Sequence, residues 1–147
     1  MKLNTKSRYA VQAMVDIACN GDSKPCSLSH ISIRQNISLS YLEQIFNKLK
    51  KSKLVKSHRG PGGGYKLIKS SSDINIAEII NAVDDNIKAT GCGHDINSSC
   101  TGKSERCITH NLWEDLENLV EDYLNSIVLS DVANKKNNNI LEMTINE

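Results

Sequence analysis

No run of apolar residues in this chain approaches the eighteen or so that a membrane span needs. The opening MKLNTKSRYA also lacks the apolar core of a secretion signal, so a cytoplasmic protein with no membrane attachment is expected. Cys-x-x-Cys is missing, and no acid and base stand together in a recognisable pocket motif, which leaves a disulfide oxidoreductase, a cluster scaffold or another enzyme without its chemistry. The glycine-rich RGPGGG is followed neither by Lys-Ser or Lys-Thr nor by a helix start, so it is no nucleotide-phosphate loop. An even set of cysteines is lacking too. Five of them, in a reducing compartment, speak for metal binding or redox response rather than a disulfide framework. What is present is a chain of 147 residues, 39% hydrophobic, enough for one domain with an appendage.

The net charge of +1 hides a segregation of sign. Residues 1–70 carry thirteen Lys or Arg against three Asp or Glu, and residues 71–147 carry five against fourteen. A basic half of that strength attracts a polyanion, and phosphate backbones are the natural choice.

Residues 3–20 read as a helix because Tyr9, Ala10, Ala13, Met14, Ile17 and Ala18 recur at spacings of three and four, with Gly21 as the stop. Ser27 can cap a short second helix with Leu28 and Ile31 inward, and a break at Asn-Ile-Ser follows Gln35. In a third helix Ser40 and Glu43 have capping-box spacing, while Leu42, Ile45, Phe46 and Leu49 form an apolar stripe. A short helix, a tight break and a capped amphipathic helix make a helix-turn-helix, whose second helix lies in the major groove. Tyr41, Glu43, Gln44, Asn47, Lys48 and Lys51 lie off the stripe. Glutamate can accept from cytosine, glutamine and asparagine can pair with adenine, and the lysines suit phosphate.

The segments LVKSH and YKLI then read as two strands around RGPGGG, a β-wing in which glycines allow positive φ and Pro61 stiffens the turn. Arg59, with Gly60, Pro61 and Gly62 beside it, suits a narrow minor groove. Asn75 and Glu78 again have capping-box spacing, and Ile76, Ile79, Ile80 and Val83 make a short helix that closes the domain.

The second half holds a longer helix, with Leu112, Trp113, Leu116, Leu119, Val120, Tyr123, Leu124, Ile127 and Val128 on one side and Glu114, Asp115, Glu117, Glu121 and Asp122 on the other. So small a chain leaves such a stripe little to pack on. A second copy of the same helix would cover it, giving a two-fold homodimer that faces a pseudo-palindromic operator in double-stranded DNA.

Between these units lies CGHDINSSCTGKSERCITH, with three of the five cysteines and two of the four histidines. Cys92, Cys100, Cys107 and His110 offer three thiolates and an imidazole, which suit zinc or an iron-sulfur cluster. The long gaps between the cysteines depart from the paired knuckles of structural zinc sites and favour the looser wrap of a cluster. His94 competes with His110, which stands closer to Cys107. Cys19 reads as a small core residue, Cys26 as a loop thiol, and His30 and His58 as surface or DNA-proximal groups.

The segments KSRYAVQAM, SLSYLEQIF, RGPGGGYKL and CITHNLWEDL resemble, in order and position, the iron-sulfur cluster regulators of the Rrf-two family of winged-helix repressors. The resemblance runs from Met1 to about Val132. It implies a homodimeric regulator that carries a 2Fe-2S cluster on three cysteines and one histidine, receives it from assembly or donor proteins, and represses genes for cluster assembly. It also implies that Ser40, Tyr41, Gln44 and Arg59 contact DNA, and that Glu43 rejects one operator class when the cluster is absent. Here the gaps before Cys100 and Cys107 exceed the spacers usual in that family. A 4Fe-4S cluster of the nitric-oxide-sensing branch, or zinc in a thiol-switch regulator, is therefore the alternative.

The expected fold is mainly α with a small β-wing: a winged helix-turn-helix domain over 1–83, a cluster-binding loop over 84–110, a dimerisation helix over 111–129 and a flexible C-terminal tail over 130–147.

Overall fold

The computed structural model describes residues 3–20, 23–84 and 106–135. Helix α1 (Thr5–Asn20) starts at Thr5 rather than at Leu3 because Asn4 caps it. The Asn4 Oδ1 accepts from the amides of Lys6 at 2.7 Å and Ser7 at 3.3 Å. Ala10, Ala13, Met14 and Ile17 are buried, as their spacing predicts. Gly21 lies outside the described residues.

Helix α2 (Leu28–Gln35) is capped by Ser27, whose Oγ accepts from the His30 amide at 3.2 Å. It ends on Asn36, held at φ 54° and ψ 47°, a left-handed conformation that asparagine tolerates. The Ser32 carbonyl accepts from the amides of both Asn36 and Ile37, and the Ser32 hydroxyl donates to the Ile37 carbonyl at 2.5 Å. One serine thus locks the turn between the two helices.

Helix α3 (Leu39–Lys51) is capped two residues before the predicted capping box. Ser38 is the cap, its Oγ accepting from the Tyr41 amide at 3.3 Å, and Ser40 and Glu43 lie within the helix. The earlier start sets Ile37 just before the cap and Leu42 four positions after it, both buried, which are the positions of a hydrophobic staple. Burying that pair outweighs an exposed serine-glutamate box.

Lys53, at φ 58°, turns the chain from α3 into β1 (Val55–His58). It pairs antiparallel with β2 (Gly64–Leu67), Val55 opposite Leu67 and His58 opposite Gly64. Cys26 bridges the other edge of β2 through two reciprocal bonds with the Tyr65 backbone, at 2.9 and 2.8 Å. Gly64 permits this approach, since a Cβ there would stand 2.2 Å from the Cys26 carbonyl oxygen.

A single 3-10 turn (Ser71–Asp73) leads to α4 (Ile76–Val83), and here the predicted capping box is present. Asn75 Oδ1 accepts from the Glu78 amide at 2.8 Å, and the Glu78 carboxylate accepts from the Asn75 amide at 3.1 Å. Helix α5 (His110–Ser126) stops short of the expected residue 129. The chain then runs antiparallel past the start of α4: the Ile76 amide donates to the Ile127 carbonyl at 3.0 Å and the Leu129 amide to the Ile74 carbonyl at 2.8 Å. Residues 129–135 are helical again, and Leu129 and Ala133, four apart, are buried. The first part of the expected flexible tail is therefore docked on the domain, because Leu129 completes its core. Residues 136–147 lie outside the described residues.

That core is a single cluster in which Met14, Ile17, Ile31, Leu42, Ile45, Phe46, Leu49, Ile79 and Val83 join Leu129. Each large side chain so buried stabilises the fold by roughly 1.5–3 kcal/mol before conformational entropy is set against it.

Candidate DNA interface and ligand segment

Helix α3 has two distinct faces. Leu42, Ile45, Phe46 and Leu49 are fully buried, whereas Ser40, Glu43, Gln44 and Asn47 are exposed. Phe46 meets Tyr65 of β2 with ring centroids 4.8 Å apart, so its inner side is fixed to the wing while the polar face is free to meet a groove. Tyr41 is only half-exposed and stands edge-on to Tyr9 at 5.7 Å, where its ring supports the contact between α1 and α3. The Lys48 ammonium donates to the Val83 carbonyl at the end of α4, at 3.1 Å. Lys50, Lys51, Lys53 and Lys56 remain exposed and make a basic rim from the end of α3 into β1.

The wing tip is a type II turn. Gly63 N donates to the Gly60 carbonyl at 2.9 Å, with Pro61 and Gly62 as the central pair and Gly62 at φ 73°. Proline presets the second position and glycine alone takes the third without strain. Arg59 precedes this rigid turn and is exposed, as are Gly60, Pro61 and Gly62.

Behind this face lies a network that the sequence reading missed. Asp16 of α1 is buried, and its carboxylate accepts from Arg34 Nη2 at 2.6 Å, from Arg34 Nε at 3.0 and 3.2 Å, and from Gln35 Nε2 at 2.6 Å. The guanidinium fork clamps α2 to α1, and the carboxylate hydrogen bond raises the Arg34 pKa further above its usual range. Arg34 is thus a structural cation. The signal was visible: Asp16 interrupts a face that otherwise reads as core, among Ala13, Met14 and Ile17.

Cys26 is buried rather than a loop thiol, because its backbone extends the wing. Burial pushes its thiol pKa up, with the Arg34 charge pulling the other way. Cys19 is half-buried, its Sγ 4.0 Å from the Ala133 carbonyl, while His30 and His58 are exposed.

Of the expected ligands, Cys92 and Cys100 lie outside the described residues, as does His94. Cys107 is half-buried ahead of α5, and His110, the first residue of that helix, is buried. The His110 amide donates to the Cys107 carbonyl at 3.0 Å, so thiol and imidazole hang from one tight turn. Thr109 makes no side-chain cap; its hydroxyl accepts from Trp113 Nε1 at 3.1 Å and lies 3.8 Å from Cys107 Sγ. A thiol and an imidazole at the positive end of a helix are the donor types that an anionic thiolate-bound centre would take, and would supply two of its ligands. Among the described residues no three His, Cys, Asp or Glu side chains gather as a metal site. Farther along α5, Leu119 is 67% exposed and Tyr123 63%.

The family described as an iron-dependent transcriptional regulator, Rrf2, matches residues 3–135. The chain belongs to the Rrf2 family. It is 48% identical over 136 residues to the HTH-type transcriptional regulator IscR of Pectobacterium atrosepticum, covering 92% of this chain and 81% of that one. It is similar to the solved structure of T. potens IscR, with a TM-score of 0.76 and 34% identity over 92% of this chain and 88% of that one. The structure of CymR, the global cysteine regulator of B. subtilis, gives a TM-score of 0.77 and 31% identity over 92% and 98%. This Rrf2 protein is therefore a DNA-binding transcription regulator of the IscR type with a winged-helix fold, and not an enzyme. No helix among its described residues is long and apolar enough to cross a membrane.

Proposed function

We propose that this Rrf2 regulator is a cytoplasmic homodimeric repressor whose operator binding is switched by a labile 2Fe-2S cluster on Cys92, Cys100, Cys107 and His110, and that it governs genes for cluster assembly. The observation that carries this reading is the turn that joins Cys107, just ahead of α5, to the buried His110 at the start of that helix. A cluster bound there supplies charge and cross-links between the loop and the long helix. Imidazole ligation makes such a centre easier to lose than an all-thiolate one, because protons compete for the ring nitrogen. Ligation sets how α5 meets the winged domain, and the exposed Leu119 and Tyr123 supply the face on which two copies meet. Ser40, Tyr41, Glu43, Gln44 and Asn47 then approach the major groove, while the Lys48 ammonium is held on the Val83 carbonyl, with Arg59, Gly60, Pro61 and Gly62 at the minor groove.

Anaerobic purification tests the reading. Iron and acid-labile sulfide in equal amounts, in the count of a 2Fe-2S centre and with visible sulfur-to-iron bands, are expected. The longer cysteine gaps support a second reading, and a 4Fe-4S count would move the protein to the nitric-oxide-sensing branch. A colourless chain with tightly held zinc overturns both.

A further inference from the structure

The segment bearing Cys92 and Cys100 follows α4 in the sequence, and side chains from the first and third helices and the cap of the first hold the end of α4. Lys48 Nζ donates to the Val83 carbonyl at 3.1 Å. Asp84, the next residue, accepts from Asn4 Nδ2 at 2.7 Å and from the Ser7 hydroxyl at 3.4 Å. The last carbonyls of a helix have no intrahelical donor, and a cation there also meets the negative end of the helix dipole. The origin of this cation matters. Lys48 follows Asn47 directly and stands one turn after Gln44, on the helix whose exposed face carries the groove-facing side chains.

We propose that Lys48 is a positioning residue, its ammonium on the Val83 carbonyl coupling the point where the ligand segment leaves α4 to the DNA-reading face of α3. The inference rests on the cluster-switched reading above. A change in the direction of the chain at Val83 and Asp84 strengthens or breaks this bond, and so alters how Gln44 and Asn47 are presented. Asn4 and Ser7 hold Asp84 against α1, so the change is felt at Lys48 rather than dispersed along the domain surface.

The test compares the parent protein with Lys48→Met and Lys48→Arg, each iron-loaded and iron-free, by operator affinity across a salt titration. In the parent, loaded and iron-free forms differ in affinity. Lys48→Met brings that ratio toward one, a change of about fivefold or more for a coupling of ordinary size, with the salt slope unchanged. Lys48→Arg, which can still donate to the carbonyl, restores the ratio. An unchanged ratio in Lys48→Met overturns the inference. So does equal weakening of both forms with a salt slope lower by about one, which marks a plain phosphate contact. A parent ratio of one overturns the cluster switch instead. Hydrogen exchange on the iron-free chain then decides the coupling separately: Lys48→Met is expected to speed exchange both in the last turn of α4 and in α3 around Gln44, and a change confined to α4 refutes it.

Discussion

Arg34 closes its guanidinium on the buried carboxylate of Asp16, 2.6 Å from Nη2 to Oδ1, and so joins the first two helices by charge as well as by packing. Removing one member leaves the other without its counter-charge. Arg34→Ala is expected to destabilise the fold by about 2 kcal/mol or more, the solvent access of the arginine keeping the loss below that of a wholly buried pair. Urea unfolding checks this as a lower midpoint at unchanged slope. The pair Asp16→Leu with Arg34→Met is expected to recover much of the loss.

Cys26 gives a pH dependence of definite sign. Its thiol pKa is raised above the ordinary 9.0, chiefly by burial, so the folded state holds the proton more tightly than the unfolded chain. Its contribution to stability is complete below the unfolded value and is lost as pH climbs through the folded one. Stability relative to Cys26→Ala is therefore expected to be constant across neutral pH and to fall above about pH 9. A flat difference through that range rejects the burial effect.

Gly64→Ala is expected to destabilise the domain by about 2 kcal/mol, because the added methyl meets backbone rather than a side chain that can move. The reciprocal bonds between Cys26 and Tyr65 should weaken with it, seen as faster amide exchange at those two residues.

Arg59→Ala should weaken operator binding and reduce the salt slope by about one, as loss of a single phosphate or minor-groove contact does. Unchanged affinity through a salt titration removes the wing from the interface.

Glu43→Ala should relax operator choice by roughly 1–3 kcal/mol at one base pair, with affinity for the preferred operator less affected. Equal discrimination by variant and parent shows that this carboxylate reads nothing.

The helix-turn-helix and the wing were legible because their signals are local: apolar spacing in α1 and α3, the serine cap of α2, and the Gly-Pro-Gly-Gly turn. The start of α3 was misread because two serines compete. Ser40 has the better acidic partner, whereas Ser38 has Ile37 and Leu42 beside it, and apolar burial decides between them. The clamp on Asp16, the bond from Lys48 to Val83 and the docking of Leu129 join residues far apart in sequence, and no spacing rule reports such contacts. Of the proposed ligand set, Cys107 and His110 are joined by one hydrogen-bonded turn, and Cys92 and Cys100 lie outside the described residues.

The short antiparallel bridge between Asn75 and Val128 gives α5 a pivot at its C-terminal end, while Cys107 and His110 sit at the opposite end. A helix of 17 residues is about 25 Å long. A tilt of about 10° around that bridge would carry His110 through about 4 Å, roughly four-fifths of the rise of one helical turn. The length of α5 would thus turn a small rotation at the bridge into a larger displacement at the imidazole.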